Sequence, residues 1–112
     1  MKLVILKNLK MATPESKTKK IIEKYLKKYN LYYFMPAQGA YSKKGVPDFI
    51  ICYDGRFLSI EAKKDGYKDK DVTELQKLTH EKIRNTNGIA IVISNEEEMK
   101  QFEELYLKEI DK

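Results

Sequence analysis

Gly45-Val46-Pro47-Asp48-Phe49-Ile50-Ile51-Cys52-Tyr53-Asp54-Gly55-Arg56-Phe57-Leu58-Ser59-Ile60-Glu61-Ala62-Lys63 is the stretch whose reading decides the fold. Two runs rich in Ile, Phe, Tyr and Leu flank Asp54-Gly55, a dipeptide that accepts positive φ at both central positions of a type I′ turn. The stretch therefore reads as a β-hairpin. With those two residues as the whole loop, Tyr53 faces Arg56. Counting outward sets Asp48 opposite Glu61, and the period of two puts Lys63 on the same face as Glu61. Two carboxylates and an ammonium then meet at the open end of the hairpin.

Like charges directly opposite each other destabilise a sheet, and each raises the other's pKa unless a cation lies between them. A divalent metal removes that conflict. Oxygen ligands suit Mg²⁺ or Mn²⁺ better than zinc, and a chain with one His and one Cys offers no imidazole or thiolate cluster. The plainer alternative is a pair of ordinary strand-end charges, with Asp48 exposed after a proline turn, as a bulge in either strand would produce.

At 112 residues the chain is expected to form a single domain, 1–112, with one core. Hydrophobic residues make up 42% and charged residues 35%, and no apolar run approaches the roughly 20 residues of a membrane span, which argues against a membrane protein. The opening Met1-Lys2-Leu3-Val4-Ile5-Leu6-Lys7 lacks a long apolar region and a cleavage site, so no secretory signal is expected and the compartment reads as cytoplasmic. Cys52 falls in an apolar strand, where a buried, inert thiol is expected. Lys and Arg number 22 against 17 acids, for a net charge of +5, and they crowd into 17–28 and 43–70 while 96–109 is acid-rich. One basic face for a polyanion and one acidic face turned away from it fit that distribution; a solvated lysine-rich helix explains any single cluster equally well.

Residues 1–12 read as an N-terminal arm of undecided structure, and Met11 is an alternative start. Thr13 as N-cap and Pro14 at the first helical position open a helix to about Tyr29, with Ile22, Leu26 and Tyr29 as its apolar stripe and its lysines solvated. Glu15 lies seven residues before Ile22, about −20° away on a 3.6-residue helix, and so points to the core side. Complementing the helix dipole and joining a metal site are both open readings for it. Leu31–Met35 reads as the first strand. The loop that follows carries Gln38, Tyr41, Ser42, Lys43 and Lys44: a stacking ring, polar groups and cations suited to a sugar-phosphate backbone, with Lys64 and Lys68 beyond the hairpin adding to that surface. Gly45 and Pro47 then make the sharp turn that presents Asp48.

A second helix is expected from a capping-box-like start at Asp71-Val72-Thr73-Glu74 to just before Asn87-Gly88. On it Val72, Gln76, Thr79 and Ile83 share a stripe with Leu75 and Leu78 alongside. Gln76 faces inward, bonding either neighbouring backbone or a group at the acids. His80 is assigned no catalytic role. Gly88–Ser94 reads as a central, buried strand that completes a parallel βαβ unit. Asn95 caps a last helix on which Met99, Phe102, Tyr106 and Ile110 repeat as core.

Assembled, Asp48 and Glu61 as ligands with Lys63 beside them match phosphodiester hydrolysis assisted by a metal. The Gly-Val-Pro-Asp segment ending at Asp48, then Glu61-Ala62-Lys63, resembles the PD-(D/E)XK nuclease superfamily and, more closely, its VRR-NUC branch. The helix with Glu15, the Gly-Arg-Phe after the turn and the Leu-Gln-Lys around Gln76 extend that resemblance from Glu15 to about Ile93. It implies a restriction-endonuclease-like αβββαβα core, an α/β fold whose mixed sheet joins an antiparallel hairpin to a parallel βαβ crossover with helices on both faces. It also implies that Glu15, Asp48, Glu61 and Lys63 are catalytic or metal-binding, that the Ala62 carbonyl is a further ligand to Mg²⁺ or Mn²⁺, and that Gln76 is an accessory polar group. Stand-alone members of the branch look like phage-type homodimeric resolvases of branched DNA, so a Holliday-junction endonuclease is the expected function. Cleavage of flaps, nicks or other DNA or RNA, and a non-catalytic nucleic-acid-binding module, are the alternatives.

Overall fold

The computed structural model describes residues 13–108; the expected N-terminal arm and Ile110 lie outside them. Helix α1 (Pro14–Leu26) begins where expected, with the Thr13 hydroxyl accepting the Ser16 N–H at 3.1 Å and proline in the first turn. Strands β1 (Tyr32–Phe34), β2 (Phe49–Tyr53) and β3 (Arg56–Ala62) follow, then α2 (Glu74–Asn85), β4 (Ile89–Ile93) and α3 (Glu96–Phe102), which runs on as a π-helical turn over Glu103–Leu107. The order αβββαβα is the expected one.

The four strands lie in the order β1-β2-β3-β4 in one mixed sheet, antiparallel until β3 and β4 pair in parallel. Asp54 (φ 53°) and Gly55 (φ 75°) form the two-residue turn. Tyr53 pairs with Arg56 and Phe49 with Ile60, so the register is the one that the turn implies. One step further out, the ladder is replaced by a side chain: Asp48 Oδ2 accepts the Ala62 N–H at 2.8 Å.

One sheet face, bearing Phe49, Ile51, Tyr53, Leu58, Ile60 and Ile93, buries itself against Ile22, Tyr25 and Leu26 of α1 and Met99, Phe102 and Leu107 at the C-terminal end. Each fully buried Ile, Leu or Phe contributes about 1.5–3 kcal/mol, far more than helix propensity offers, so this stripe fixes how α1 lies. The Thr18 hydroxyl then locks α1 lengthwise: its oxygen lies 2.9 Å from the Lys63 carbonyl and 3.2 Å from that of Ser94, bridging the ends of β3 and β4. Helix α2 lies on the opposite face, over β3 and β4. Among the described residues no helix is long and apolar enough to cross a membrane.

Four local expectations are corrected. Strand β4 is at the sheet's edge rather than its centre; it is apolar throughout because helices cover it on both faces. Helix α2 starts at Glu74 with Thr73 as its cap, while Asp71 closes a separate 3₁₀ turn (Asp69–Asp71) by accepting the Lys68 N–H at 2.9 Å. The α2 face turned to the sheet carries His80, its buried residue, whereas Leu75 and Leu78 are exposed. Cys52 is exposed as well, since α2 covers only the β3 and β4 side of that face and leaves Cys52, Phe57 and Tyr32 uncovered.

Candidate functional site

Each acid reaches the open end of the hairpin by a different route. Asp48 is delivered by the Gly45-Val46-Pro47 turn, whose proline is fully buried, and Glu61 by the penultimate position of β3. Glu15 comes from the first turn of α1, which Thr18 holds against the end of β3. Carboxylate oxygens of all three lie within 4.8 Å of one another; Asp48 and Glu61 are buried and Glu15 is half-buried.

Helix α2 supplies the wall behind Glu61. Gln76 completes a capping box, its Oε1 accepting the Thr73 N–H at 2.9 Å, and its Nε2 donates to Glu61 Oε2 at 2.9 Å. Both readings of Gln76, backbone partner and site group, therefore hold at once. One turn further on, His80 Nε2 lies 3.8 Å from Glu61 Oε1, too far for a hydrogen bond, and both atoms are buried without a hydrogen-bond partner among the described residues. A buried polar atom left in that condition is costly.

The electrostatics agree. Burial pushes the Glu61 carboxyl up to about 7, and the neighbouring Asp48 pushes in the same direction, while His80 and Lys63 pull it down.

The acids open onto a cavity of about 430 Å³ whose lining includes Glu15, Lys19, Gln38, Ser42, Lys43, Lys44, Asp48, Glu61 and Gln76. Of the residues assigned to nucleic-acid contact, four therefore reach the acids' own cavity. Tyr41 stands fully exposed in the same loop. Lys63 and Lys64 line a second cavity of about 370 Å³, which shares Glu15 with the first, and Lys63 does not line the cavity of Asp48 and Glu61. Lys68 is exposed and lines neither. Ala62 lies between Glu61 and Lys63 with its N–H given to Asp48.

Two further residues belong to this centre. Lys19, expected to be solvated, places Nζ 3.5 Å from Asp48 Oδ1, and His80 was assigned no role. Each follows a recognised site residue by four positions on the same helix, Glu15 for one and Gln76 for the other. That spacing was the available signal.

No protein-family model matches the sequence, and no curated protein matches it. A solved structure described as "VRR_NUC domain" superimposes with a TM-score of 0.68 at 20% identity, over 85% of this chain and 99% of that one. The chain has the VRR-NUC fold. At that identity the similarity carries the architecture; in this chain the hairpin's open end, the first turn of α1 and the first turn of α2 come together where the three acids meet.

Proposed function

We propose that this chain is a metal-dependent endonuclease that hydrolyses phosphodiester bonds in branched DNA, acting as a homodimer in the manner of a Holliday-junction resolvase. The observation that carries the reading is the convergence of Glu15, Asp48 and Glu61 in a cavity whose lining also includes Lys19, Lys43 and Lys44. A structural cluster of acids would be expected to have its oxygens satisfied and to sit away from a polyanion-binding surface.

The donor set fits a hard divalent cation. Glu15, Asp48 and Glu61 form an all-oxygen set suited to Mg²⁺ or Mn²⁺, to which the resemblance adds the Ala62 carbonyl. Glu15, Asp48 and Glu61 would hold the ion, which when bound polarises a phosphoryl oxygen and acidifies a water. The chain's own residues do the rest. Asp48 is oriented by the Ala62 N–H and Glu61 by the Gln76 amide, which leaves Asp48 Oδ1, facing Lys19, for the ion. Lys63, which lines the second cavity together with Glu15, would orient a water or stabilise charge developing on the phosphate. Gln38, Ser42, Lys43 and Lys44, with Lys64 and Lys68 outside the cavity, hold the sugar-phosphate backbone, and Tyr41 offers a ring for a base to stack on. Symmetric cleavage of a junction needs two such centres, which a twofold dimer supplies most simply.

The test is cleavage of labelled four-way junction, flap, linear duplex and RNA in Mg²⁺, Mn²⁺ or EDTA, with Asp48→Ala and Lys63→Ala alongside. Metal-dependent cutting of the junction, lost in both variants, is expected. Binding without cleavage in every metal would reduce the chain to a nucleic-acid-binding module. Equal rates on linear duplex would remove the preference for branches, and activity on RNA alone would reassign the substrate. Sedimentation of the protein alone and on the junction tests the dimer.

A further inference from the structure

We propose that Lys19 is an exchangeable internal cation, held by Asp48 until that carboxylate turns to a metal and then passed to a phosphate of the bound nucleic acid. The inference rests on the proposed function. Helix α1 sends two side chains into the acids' cavity four residues apart, Glu15 and Lys19. The two oxygens of Asp48 have different commitments: Oδ2 accepts the Ala62 N–H at 2.8 Å, and Oδ1 faces the Lys19 ammonium at 3.5 Å. The first bond is short and buried. The second is long, and the Lys19 side chain keeps 28% of its surface in solvent, so the ammonium is the partner that gives way.

A lysine and a divalent cation compete for the same oxygen. Once released, the ammonium remains in a cavity that also holds Ser42, Lys43 and Lys44, where a phosphate is the natural partner. Phosphate bound to Lys19 frees Asp48, and metal on Asp48 frees Lys19; each ligand then raises affinity for the other by the same factor. Glu15 and Glu61 bring carboxylate oxygens within 4.8 Å of that of Asp48, so an ion that takes Asp48 from Lys19 finds two further acids beside it.

The test uses the whole chain and Lys19→Met, with Lys19→Gln as a second neutral variant in case methionine impairs folding and Lys19→Arg as the charge-retaining control. Calorimetric titration with Mn²⁺ in the absence of nucleic acid should show the neutral variants binding the metal about two- to fivefold more tightly than wild type, because a competitor is gone. Anisotropy of a labelled four-way junction, followed against salt, should then give the opposite sign. In Ca²⁺ the neutral variants bind more weakly, with a salt slope smaller by about one phosphate contact, whereas in EDTA their slope matches wild type. Mn²⁺ affinity that is unchanged or lower in both neutral variants overturns the proposal, as does an equal loss of slope with and without metal. Wild-type protein that binds no Mn²⁺ at all overturns this inference and the proposed function together, while metal binding that ignores Lys19 overturns this inference alone.

Discussion

Replacing Glu61 by Gln should stabilise the protein at neutral pH in the absence of metal. The carboxyl stands at about 7 in the folded chain against an ordinary value of 4.5, and burial is the main cause. Each pH unit of separation is worth about 1.4 kcal/mol, so ionising Glu61 in place opposes folding by roughly 3 kcal/mol. The folded value lies above the unfolded one, and between them the folded chain holds the extra proton. The contribution is therefore fully present below about pH 4.5 and is lost as the pH rises through about 7. Glu61→Gln has no such proton to lose and keeps a side chain that can accept from Gln76. Thermal melts in EDTA from about pH 5 to about pH 8 should show wild type losing stability relative to Glu61→Gln, with a final gap on the order of 10 °C. Mn²⁺ should close that gap by restoring wild type only, since the ion binds the ionised carboxylate. Parallel melting curves for the two proteins across the whole range would refute the assignment of Glu61 as a carboxylate buried at an energetic cost. A gap that opens but does not respond to Mn²⁺ would refute the metal site while leaving the burial argument intact.

Other perturbations probe the same centre from its supports. Gly45→Ala should lower stability by about 1–3 kcal/mol in a denaturant titration, because Gly45 sits at φ +81° and a Cβ there would lie 2.7 Å from the Leu75 carbonyl oxygen; junction affinity should fall with it as the 36–45 loop lifts from α2. Tyr41→Ala should leave the melting temperature unchanged, since the ring is fully exposed, yet weaken junction binding by about 1–3 kcal/mol in an anisotropy assay if a base stacks there. His80→Leu removes a group that pulls Glu61 down, so in EDTA the loss of stability that begins near pH 4.5 should continue to a higher pH, and reach a larger total, than in wild type.

The hairpin was legible because its determinants are local. Asp54-Gly55 dictates a two-residue turn, the turn dictates the register, and a period of two then places Asp48 across from Glu61 without reference to the rest of the chain. Helix α1 was legible for a similar reason, with Thr13 and Pro14 marking its start and Ile22 and Leu26 marking its inward face. The start of α2 was not legible because Asp71 and Thr73 are both competent caps. Only the packed chain shows that Asp71 spends its carboxylate on Lys68.

What the sequence left undecided are matters of distance and coverage between segments far apart in the chain. Thr18 bonding at the end of β3 sets how far along the sheet α1 lies, and thereby whether Glu15 and Lys19 touch Asp48 at all. The rotation of α2 buries His80 against Glu61 and leaves Leu75 and Leu78 in solvent, the reverse of what hydrophobicity alone suggests. The extent of α2 likewise exposes Cys52 and makes an edge strand read as a central one. Side-chain type and local spacing named the acids; the long-range packing of α1 and α2 decided which cations face them and that one of their oxygens is left without a partner.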